Sequence, residues 1–356
     1  MRPITALQDS RIPRRKLFSV AGAAVGATAL MACRPRSNET VALQLGYFPN
    51  VTHAPALLGT RFGIYRTELG NVKVNPRLFN AGPALVEAML AGAVDIGFVG
   101  PSPAINAYVR TKGRALRIIA GCASGGVSLI VRNDSGIMAP ADLGGRKIGT
   151  PQRGGTQDIA LRIYLRDNGL IPADAGGTVA IVPTANPQIL ELFRRAQLDG
   201  AWVPEPWAGR MVEELNGRVL LDERTLWPGG KFSSAVIIVN TRFLNEHRDE
   251  VDAFIKGHLK SLEMIGRDRQ EAIRAVTAEI ERLTLHPITE QLVARGMQAV
   301  DFTSDPLADT VAIQAARAYQ LGFLGGTEPD VSQLVDTSVL HAATHYRGYG
   351  KFTKNL

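Results

Sequence analysis

Cysteine is scarce in this chain, which has only two in 356 residues, Cys33 and Cys122. Two such distant cysteines exclude a disulfide-built scaffold and a zinc site made of cysteines. The sequence also lacks His-Glu-x-x-His, Gly-x-Ser-x-Gly and Gly-Lys-Ser/Thr after a strand, so it gives no support for a zinc protease, a serine hydrolase or a P-loop. His341 and His345 have helical spacing but no carboxylate beside them. We therefore expect no catalytic residue, no metal and no cofactor.

Long runs of one charge are also missing. The chain has 40 basic and 33 acidic residues, but residues 1–32 hold five of the basic residues and only one of the acidic residues. The rest of the chain then has 35 basic and 32 acidic residues and no polybasic stretch. A near-neutral chain of this kind is not typical of proteins that bind a phosphate backbone, so we expect no nucleic-acid partner.

The first forty residues have the pattern of an export signal. Residues 14–16 are Arg-Arg-Lys, and they precede sixteen uncharged residues that end just before Cys33. A basic segment, a short apolar core and a small residue at its end are typical of bacterial secretion signals. We predict an export signal over residues 1–32, lipid attachment at Cys33, and a tether over residues 33–40.

The same residues leave alternatives open. Residues 13–18 resemble the twin-arginine motif but have Pro13 where Ser or Thr is usual, so general secretion is one alternative. Residues 30–33 resemble a lipobox in which Met31 is larger than usual, so a cleaved signal with an incidental cysteine is another. An uncleaved anchor helix is disfavoured, because a bilayer needs roughly 20 apolar residues.

Beyond residue 40, short β-rich runs alternate with amphipathic helical stretches. This alternation predicts an α/β protein whose mostly parallel sheets are flanked by helices. Segments 131–140 and 231–234 are the candidate crossings between two lobes, and two crossings form a hinge with a cleft across it. We predict a first lobe over residues 41–132, a second lobe over 133–234, and a return to the first lobe with C-terminal helices over 235–356.

Four turns share one pattern, in which a strand ends in Gly, Pro, Ser, Thr or Asn residues that open a helix. Such turns leave unpaired N–H groups at a helix N-terminus, where the partial positive charge suits an oxyanion. In open α/β sheets, ligands bind beyond the carboxyl ends of the strands, where these turns lie. The alternative is that these residues only cap helices. The candidate binding residues in the turns are Asn50, His53, Asn80, Gly82, Gly100, Ser102, Gly155, Thr156 and Gln157.

Residues 202–207, Trp-Val-Pro-Glu-Pro-Trp, form a rigid loop at a strand end. Trp202 can form one wall of a site for an organic ligand, or it can be buried within its lobe. We expect Trp207 to be buried. Glu205 has three possible roles, because it can meet a ligand ammonium, pair with Arg153, or cap the following helix. Trp202 and Glu205 complete the candidate site.

Together these segments resemble the substrate-binding proteins of ABC importers in the nitrate, sulfonate and taurine group, nearest to the aliphatic sulfonate-binding lipoproteins. The resemblance covers residues 41–324, and its most specific segment is 79–103; residues 47–54, 141–148 and 202–207 add to it. It implies a two-lobed periplasmic-binding-protein fold of type II that closes on one ligand in a cleft at the hinge.

The resemblance also implies roles for the candidate residues. Residues 80–82 and 100–102 are expected to hold the anionic head of the ligand from the first lobe, and residues 155–157 from the second. Trp202 is expected beside the ligand's tail. Relatives with different ligands have carboxylates at the position of Glu205.

The function that follows is non-catalytic capture of a small organic anion, an aliphatic sulfonate first among the candidates, for delivery to an ABC permease and its ATPase. The protein is expected outside the cytoplasmic membrane, held there as a monomer by its N-terminal lipid. Nitrate, taurine and a pyrimidine precursor are alternative ligands. A thiamine-precursor enzyme on the same scaffold is a remote alternative, which would need a reactive His/Cys cluster.

Overall fold

Residues 42–345 fold into two lobes, each built on one β-sheet, as described by a computed structural model. The predicted export signal, the tether and Cys33 lie outside these described residues. Within residues 42–345, no helix is both long enough and apolar enough to cross a membrane.

The sheet of the first lobe has six strands in the described part of the chain, in the spatial order β11-β4-β10-β3-β1-β2. Four of them run in one direction, and β10 and β11 run in the other. The strands are β1 (Ala42–Tyr47), β2 (Lys73–Leu78), β3 (Ile96–Val99), β4 (Leu116–Gly125), β10 (Ser233–Asn240) and β11 (Val300–Phe302).

The sheet of the second lobe has five strands among the described residues, in the order β7-β6-β8-β5-β9, and only β5 runs against the others. Its strands are β5 (Val127–Arg132), β6 (Lys147–Thr150), β7 (Ala180–Pro183), β8 (Gly200–Pro204) and β9 (Gly217–Asp222). The prediction of an α/β fold with mostly parallel sheets is confirmed. Each sheet is nevertheless mixed, because the strand that enters after a crossing inserts antiparallel between two others: β5 between β8 and β9, and β10 between β3 and β4.

Helices cover both faces of each sheet. In chain order they are α1 (Ala54–Arg61), α2 (Ile64–Leu69), α3 (Gly82–Leu90), α4 (Pro101–Arg110), α5 (Thr156–Asp167), α6 (Asn186–Arg194), α7 (Trp207–Leu215), α8 (Thr241–Glu246), α9 (Arg248–Arg267), α10 (Arg269–Thr284), α11 (Glu290–Gln298), α12 (Ala308–Gln320) and α13 (Ser338–His345). One face of the first sheet packs against helices such as α1 and α9, and the other against α3 and α4. In the second lobe, α5 covers one face of the sheet and α6 and α7 the other.

The first crossing between the lobes is shorter and earlier than predicted. Val127–Arg132 pairs in the second sheet, so the chain changes lobe at Gly125 and Gly126, not in segment 131–140. Both glycines have positive φ, and a Cβ on Gly126 would lie 2.3 Å from Cγ2 of Val300. Glycine is therefore required here for both conformation and space. The first part of the first lobe ends at residue 125, not 132.

The return crossing, residues 223–232 between β9 and β10, overlaps the predicted segment 231–234. The chain rejoins the first sheet at Ser233, not at residue 235. Arg224 in this crossing joins it to the first lobe, because its guanidinium donates hydrogen bonds to the carbonyl oxygens of Ser124 (3.1 Å) and Ala299 (2.9 Å). The two crossings therefore lie side by side, as a hinge requires.

Candidate functional site

The loops that follow the carboxyl ends of five strands meet between the lobes and line one small cavity. The loops follow β1, β2 and β3 in the first lobe and β6 and β7 in the second, and Pro204 at the end of β8 adds to the lining. The cavity has a volume of about 30 Å³. Eight of the eleven candidate residues line it, namely Asn50, His53, Asn80, Gly82, Gly100, Gly155, Thr156 and Gln157. The structure therefore brings together the four turns that were singled out in the sequence.

Four helix N-termini converge on this first cavity, two from each lobe. Helix α3 begins at Gly82 and α4 follows Gly100, while α5 begins at Thr156 and α6 at Asn186. The first N–H groups of a helix have no partner within the helix, and the aligned peptide dipoles make that end partly positive. None of the described residues that line the cavity is Asp, Glu, Lys or Arg. The cavity is suited to a small anion held by neutral donors.

Gly100 and Thr156 approach each other across the first cavity. A Cβ on Gly100 would lie 2.2 Å from the Thr156 Oγ1 atom, so one of the two residues would have to move. Glycine at position 100 therefore allows the lobes to approach this closely.

His53 contributes a neutral donor. Its Nδ1 atom accepts a hydrogen bond from the backbone N–H of Phe48 (3.2 Å), and its ring stacks on the Phe48 ring at 4.4 Å. Because Nδ1 is the acceptor, the ring proton is assigned to Nε2. Burial lowers the pKa of His53 to about 3. The side chain therefore stays uncharged at physiological pH.

Two buried polar atoms at the cavity have no hydrogen-bond partner within the described protein: Oγ1 of Thr156 and Oδ1 of Asn186. Their residues are only 7% and 3% exposed. Buried polar atoms are nearly always paired, so two orphans on one cavity indicate a bound group. An anion can accept a hydrogen bond from the Thr156 hydroxyl, whereas the Asn186 oxygen only accepts and needs a donor.

Asn186 was missed in the sequence analysis. Residues 184–187, Thr-Ala-Asn-Pro, follow β7 and open α6, which is the same strand-turn-helix pattern as the four candidate turns. That signal was available in the sequence.

A second, larger cavity adjoins the first and also lies between the lobes. Its volume is about 200 Å³. Four residues line both cavities, and we call them the neck: Phe48, Asn50, Asn80 and Asn186. The rest of its wall comes from Pro49 after β1, the end of β2, the start of α6, Trp207, the end of α10, and His286 just after it.

Trp207, expected to be buried, is both buried and part of the second cavity's wall. Its indole Nε1–H donates to Oδ1 of Asn50 at 2.8 Å, which is a hydrogen bond between the lobes. An indole N–H only donates, so the Asn50 oxygen faces it and the amide N–H₂ group points elsewhere.

Three candidate residues do not line either cavity, and Ser102 is the first. It is the second residue of α4, and its hydroxyl lies 3.5 Å from Oε1 of Gln314. The Nε2 group of Gln314 donates to the carbonyl oxygen of Ser233. Its side chain packs against α12 instead of facing the cleft.

Trp202 is fully buried in the second lobe. Its Nε1–H donates to Glu223 Oε2 at 2.7 Å, and its ring meets Tyr164 edge-on. The expectation that it walls the ligand was wrong, because the side chain points from β8 into the lobe's own core.

Glu205 caps the following helix, which was one of the three roles considered. Its Oε2 accepts the backbone N–H of Gly209 in α7 at 3.0 Å. Burial raises the pKa of Glu205 to about 7, partly offset by that hydrogen bond and by Arg295. Arg153 pairs with Asp174 instead.

Within residues 42–345, no group of three or more His, Cys, Asp or Glu side chains is placed to hold a metal ion.

The chain is similar in sequence to several binding proteins. The chain is 29% identical over 219 residues to the taurine-binding periplasmic protein of Escherichia coli (strain K12), which covers 62% of this chain and 63% of that protein. The chain thus spans less than two thirds of the length of the curated relatives it matches.

Solved structures show the same two-lobed fold. The alkanesulfonate-binding protein SsuA from Xanthomonas axonopodis pv. citri bound to MOPS superposes with a TM-score of 0.69 at 19% identity, covering 83% of this chain and 96% of that chain. The periplasmic nitrate-binding protein NrtA from Synechocystis PCC 6803 gives 0.71 at 14% identity, covering 87% and 89%. The resemblance to the nitrate, sulfonate and taurine group is confirmed.

The NMT1-like family matches residues 36–281, which is more than half of the chain. That match includes every candidate turn and both crossings. This protein belongs to the NMT1-like family.

Proposed function

We propose that the protein captures a small organic anion between its two lobes, as the substrate-binding protein of an ABC importer. The observation that carries this proposal is the convergence of four helix N-termini on one cavity without a charged side chain. Neutral donors from both lobes hold an anion well, and they do so only when the lobes are closed. The anion therefore favours the closed state through contacts that the open state lacks.

An aliphatic sulfonate is the ligand we propose. A sulfonate, like nitrate, presents three oxygens to the donors that surround the first cavity from two lobes. Nitrate, taurine and a pyrimidine precursor are the alternatives. The similar proteins include taurine-, alkanesulfonate- and nitrate-binding proteins, which supports the group but favours no single ligand.

We also propose that the protein is exported, anchored as a monomer by a lipid on Cys33, and delivers its ligand to a permease with its ATPase. Two observations support export: the run of uncharged residues before Cys33, and the similarity to proteins that are described as periplasmic.

The proposed role is binding without catalysis. Cys122 is fully buried, its thiol donates to the Thr52 carbonyl, and burial raises the pKa of the thiol well above its usual value. A nucleophilic thiol needs the opposite environment. His53 is also a poor general base, because its pKa of about 3 keeps it from holding a proton near neutral pH.

A thermal-shift screen tests this function. Alkanesulfonates, nitrate, taurine and pyrimidines are added singly to the ligand-free protein, and a true ligand raises the melting temperature with concentration. Mass spectrometry of the recovered ligand should show it unchanged. A protein that responds to none of the anions, or that alters its ligand, contradicts the proposal.

A further inference from the structure

A buried ion pair lies directly behind the turn that contributes residues 155–157 to the first cavity. The carboxylate of Asp158, in the first turn of α5, is fully buried, and Arg162 one turn later is only 5% exposed. The Nε–H group of Arg162 donates to Oδ2 of Asp158 at 3.1 Å. Neither residue lines the first cavity, so the pair acts on the site only through its neighbours.

The same carboxylate holds the turn in place. Oδ2 of Asp158 also accepts a hydrogen bond from the backbone N–H of Gly154 at 2.9 Å. The N–H of Gly155 donates to the carbonyl oxygen of Gln152 at 3.0 Å. These two bonds fix the shape of the turn, and they leave the first N–H groups of α5 for a ligand.

A carboxylate at this position opposes the binding of an anion. The partly positive end of a helix stabilises negative charge near its first turn, and Asp158 already supplies such a charge there. An anion in the first cavity is repelled by that charge through buried protein, where water screens charges weakly. The turn therefore needs a compensating cation if the site is to hold an anion.

Arg162 is that cation. Besides its bond to Asp158, its guanidinium donates to both carboxylate oxygens of Asp174 at 2.9 Å, which fixes its direction. The ring centroid of Phe323, in the segment after α12, lies 5.5 Å from Cζ of Arg162. The carbonyl oxygen of Phe323 accepts from Asn106 of α4, so this ring comes from the first lobe. The ring keeps water from the ion pair and thereby strengthens the attraction within it.

The charges behind the turn cancel. Asp174 also pairs with Arg153, so two carboxylates face two guanidinium groups. The N-terminus of α5 then acts on the anion without a net charge behind it. Removing one partner of a buried ion pair leaves the other uncompensated, which is more unfavourable than removing both.

We infer that Asp158 and Arg162 are positioning residues for the anion site. The carboxylate holds the N–H of Gly154 and so shapes the turn, and the guanidinium cancels the negative charge that would otherwise repel the anion. This inference rests on the proposed function, since it needs an anion in the first cavity.

The test is calorimetric titration of the protein with propane-1-sulfonate, beside melting curves of the ligand-free protein. Arg162→Gln leaves the buried carboxylate uncompensated, so the affinity should fall by at least about tenfold. Arg162→Gln combined with Asp158→Asn removes both charges and keeps an acceptor for the Gly154 N–H. This double variant should regain an affinity within about threefold of the wild type, a rescue that a purely structural role would not produce.

Two single variants at Asp158 separate its charge from its acceptor. Asp158→Asn keeps the acceptor and removes the negative charge, so it should bind at least as tightly as the wild type. It tests the inference even where Arg162→Gln does not fold. Asp158→Leu has a similar size but no acceptor for the Gly154 N–H, so it should bind at least about tenfold more weakly than Asp158→Asn.

Arg132→Gln is the matched control for the loss of a guanidinium. Arg132 ends β5 in the same lobe and does not line the first cavity, and its partner Asp134 is exposed to water. The variant has the same net charge as Arg162→Gln but leaves no buried carboxylate without a partner. Its affinity for propane-1-sulfonate should equal that of the wild type.

The outcomes separate this inference from the proposed function. Charge compensation is overturned, and the anion site stands, if the double variant binds as weakly as Arg162→Gln or if Arg132→Gln has the same effect as Arg162→Gln. An affinity of Asp158→Asn at least about tenfold below that of the wild type overturns it as well. Equal affinities of Asp158→Asn and Asp158→Leu overturn the role of the carboxylate in the turn. If the wild-type protein does not bind propane-1-sulfonate, the sulfonate assignment itself falls, and this inference with it.

Discussion

Gly100 of the first lobe and Thr156 of the second face each other so closely that a Cβ on Gly100 would lie 2.2 Å from the threonine hydroxyl oxygen. Both residues line the first cavity, and each stands at the start of a helix. Because one residue of the pair comes from each lobe, an anion bound between them requires the lobes to be closed.

Gly100→Ala should therefore hinder closure. We expect ligand affinity to fall by at least about tenfold, because the added methyl group must push Thr156 away before the closed state forms. The melting temperature of the ligand-free protein should change little, since the open state has room for the methyl group. Gly266→Ala, in α9 with nothing within 4 Å of the added Cβ, is the control for a glycine-to-alanine change. An unchanged affinity in Gly100→Ala would show that the cleft binds without closing this far.

Thr156→Val removes the hydroxyl and keeps the shape. A buried hydroxyl that donates to a charged oxygen contributes roughly 1.5–3 kcal/mol, so affinity should fall by about one to two powers of ten. Stability should not fall, because Gly155 is the N-cap and Oγ1 of Thr156 has no partner in the protein.

Thr150→Val is the matched control for that change. Oγ1 of Thr150 is also buried and unpartnered, but Thr150 does not line either cavity. Calorimetric titration and melting curves on both variants are the measurements. Equal affinities in the two variants would remove Thr156 from the site.

The buried carboxyl group of Glu205 predicts a pH dependence of stability. Burial raises its pKa from 4.5 to about 7 in the folded protein. Between these values the unfolded chain loses the proton first, so ionisation favours unfolding and stability falls as pH rises from about 4.5 to 7. The loss from this group is of the order of 3 kcal/mol.

Glu205→Gln removes that titration. Urea unfolding at pH 5 and pH 8 should show a smaller difference in the free energy of unfolding for the variant than for the wild type. Glu246→Gln, a change at a more exposed carboxylate of α8 paired with Arg242, is the control and should show the same difference between pH 5 and pH 8 as the wild type. A variant whose pH 5 to pH 8 difference equals that of the wild type would contradict the burial argument.

Cys33→Ser tests the predicted lipid anchor. The variant should move from the membrane fraction to the soluble fraction after cell breakage, because the serine cannot carry the thioether-linked lipid. Immunoblots of both fractions measure this. If the variant stays with the membrane, residues 1–32 act as an uncleaved anchor instead.

Much of the fold and most of the site followed from local patterns. The turns at residues 80–82, 100–102 and 155–157 were identified because Gly, Ser, Thr and Asn between a strand and a helix either cap the helix or leave its first N–H groups open to a ligand. The same logic applied to residues 184–187 would have found Asn186.

Other features depend on tertiary structure that no local pattern carries. Trp202 and Trp207 lie in one short segment, the first in β8 and the second at the start of α7. The direction of each side chain in the folded protein decides which of them reaches the cleft. The first crossing was misplaced because β4 and β5 are consecutive apolar runs, and only their pairing partners show that they belong to different sheets.

A crystal structure of the protein with propane-1-sulfonate tests the central claim most directly. We predict that the sulfur atom lies in the first cavity between the N-termini of α3, α4, α5 and α6, with a sulfonate oxygen within hydrogen-bonding distance of Oγ1 of Thr156. A sulfonate bound outside that cavity, or one whose oxygens are held by Lys or Arg side chains instead of helix N-termini, would contradict the account.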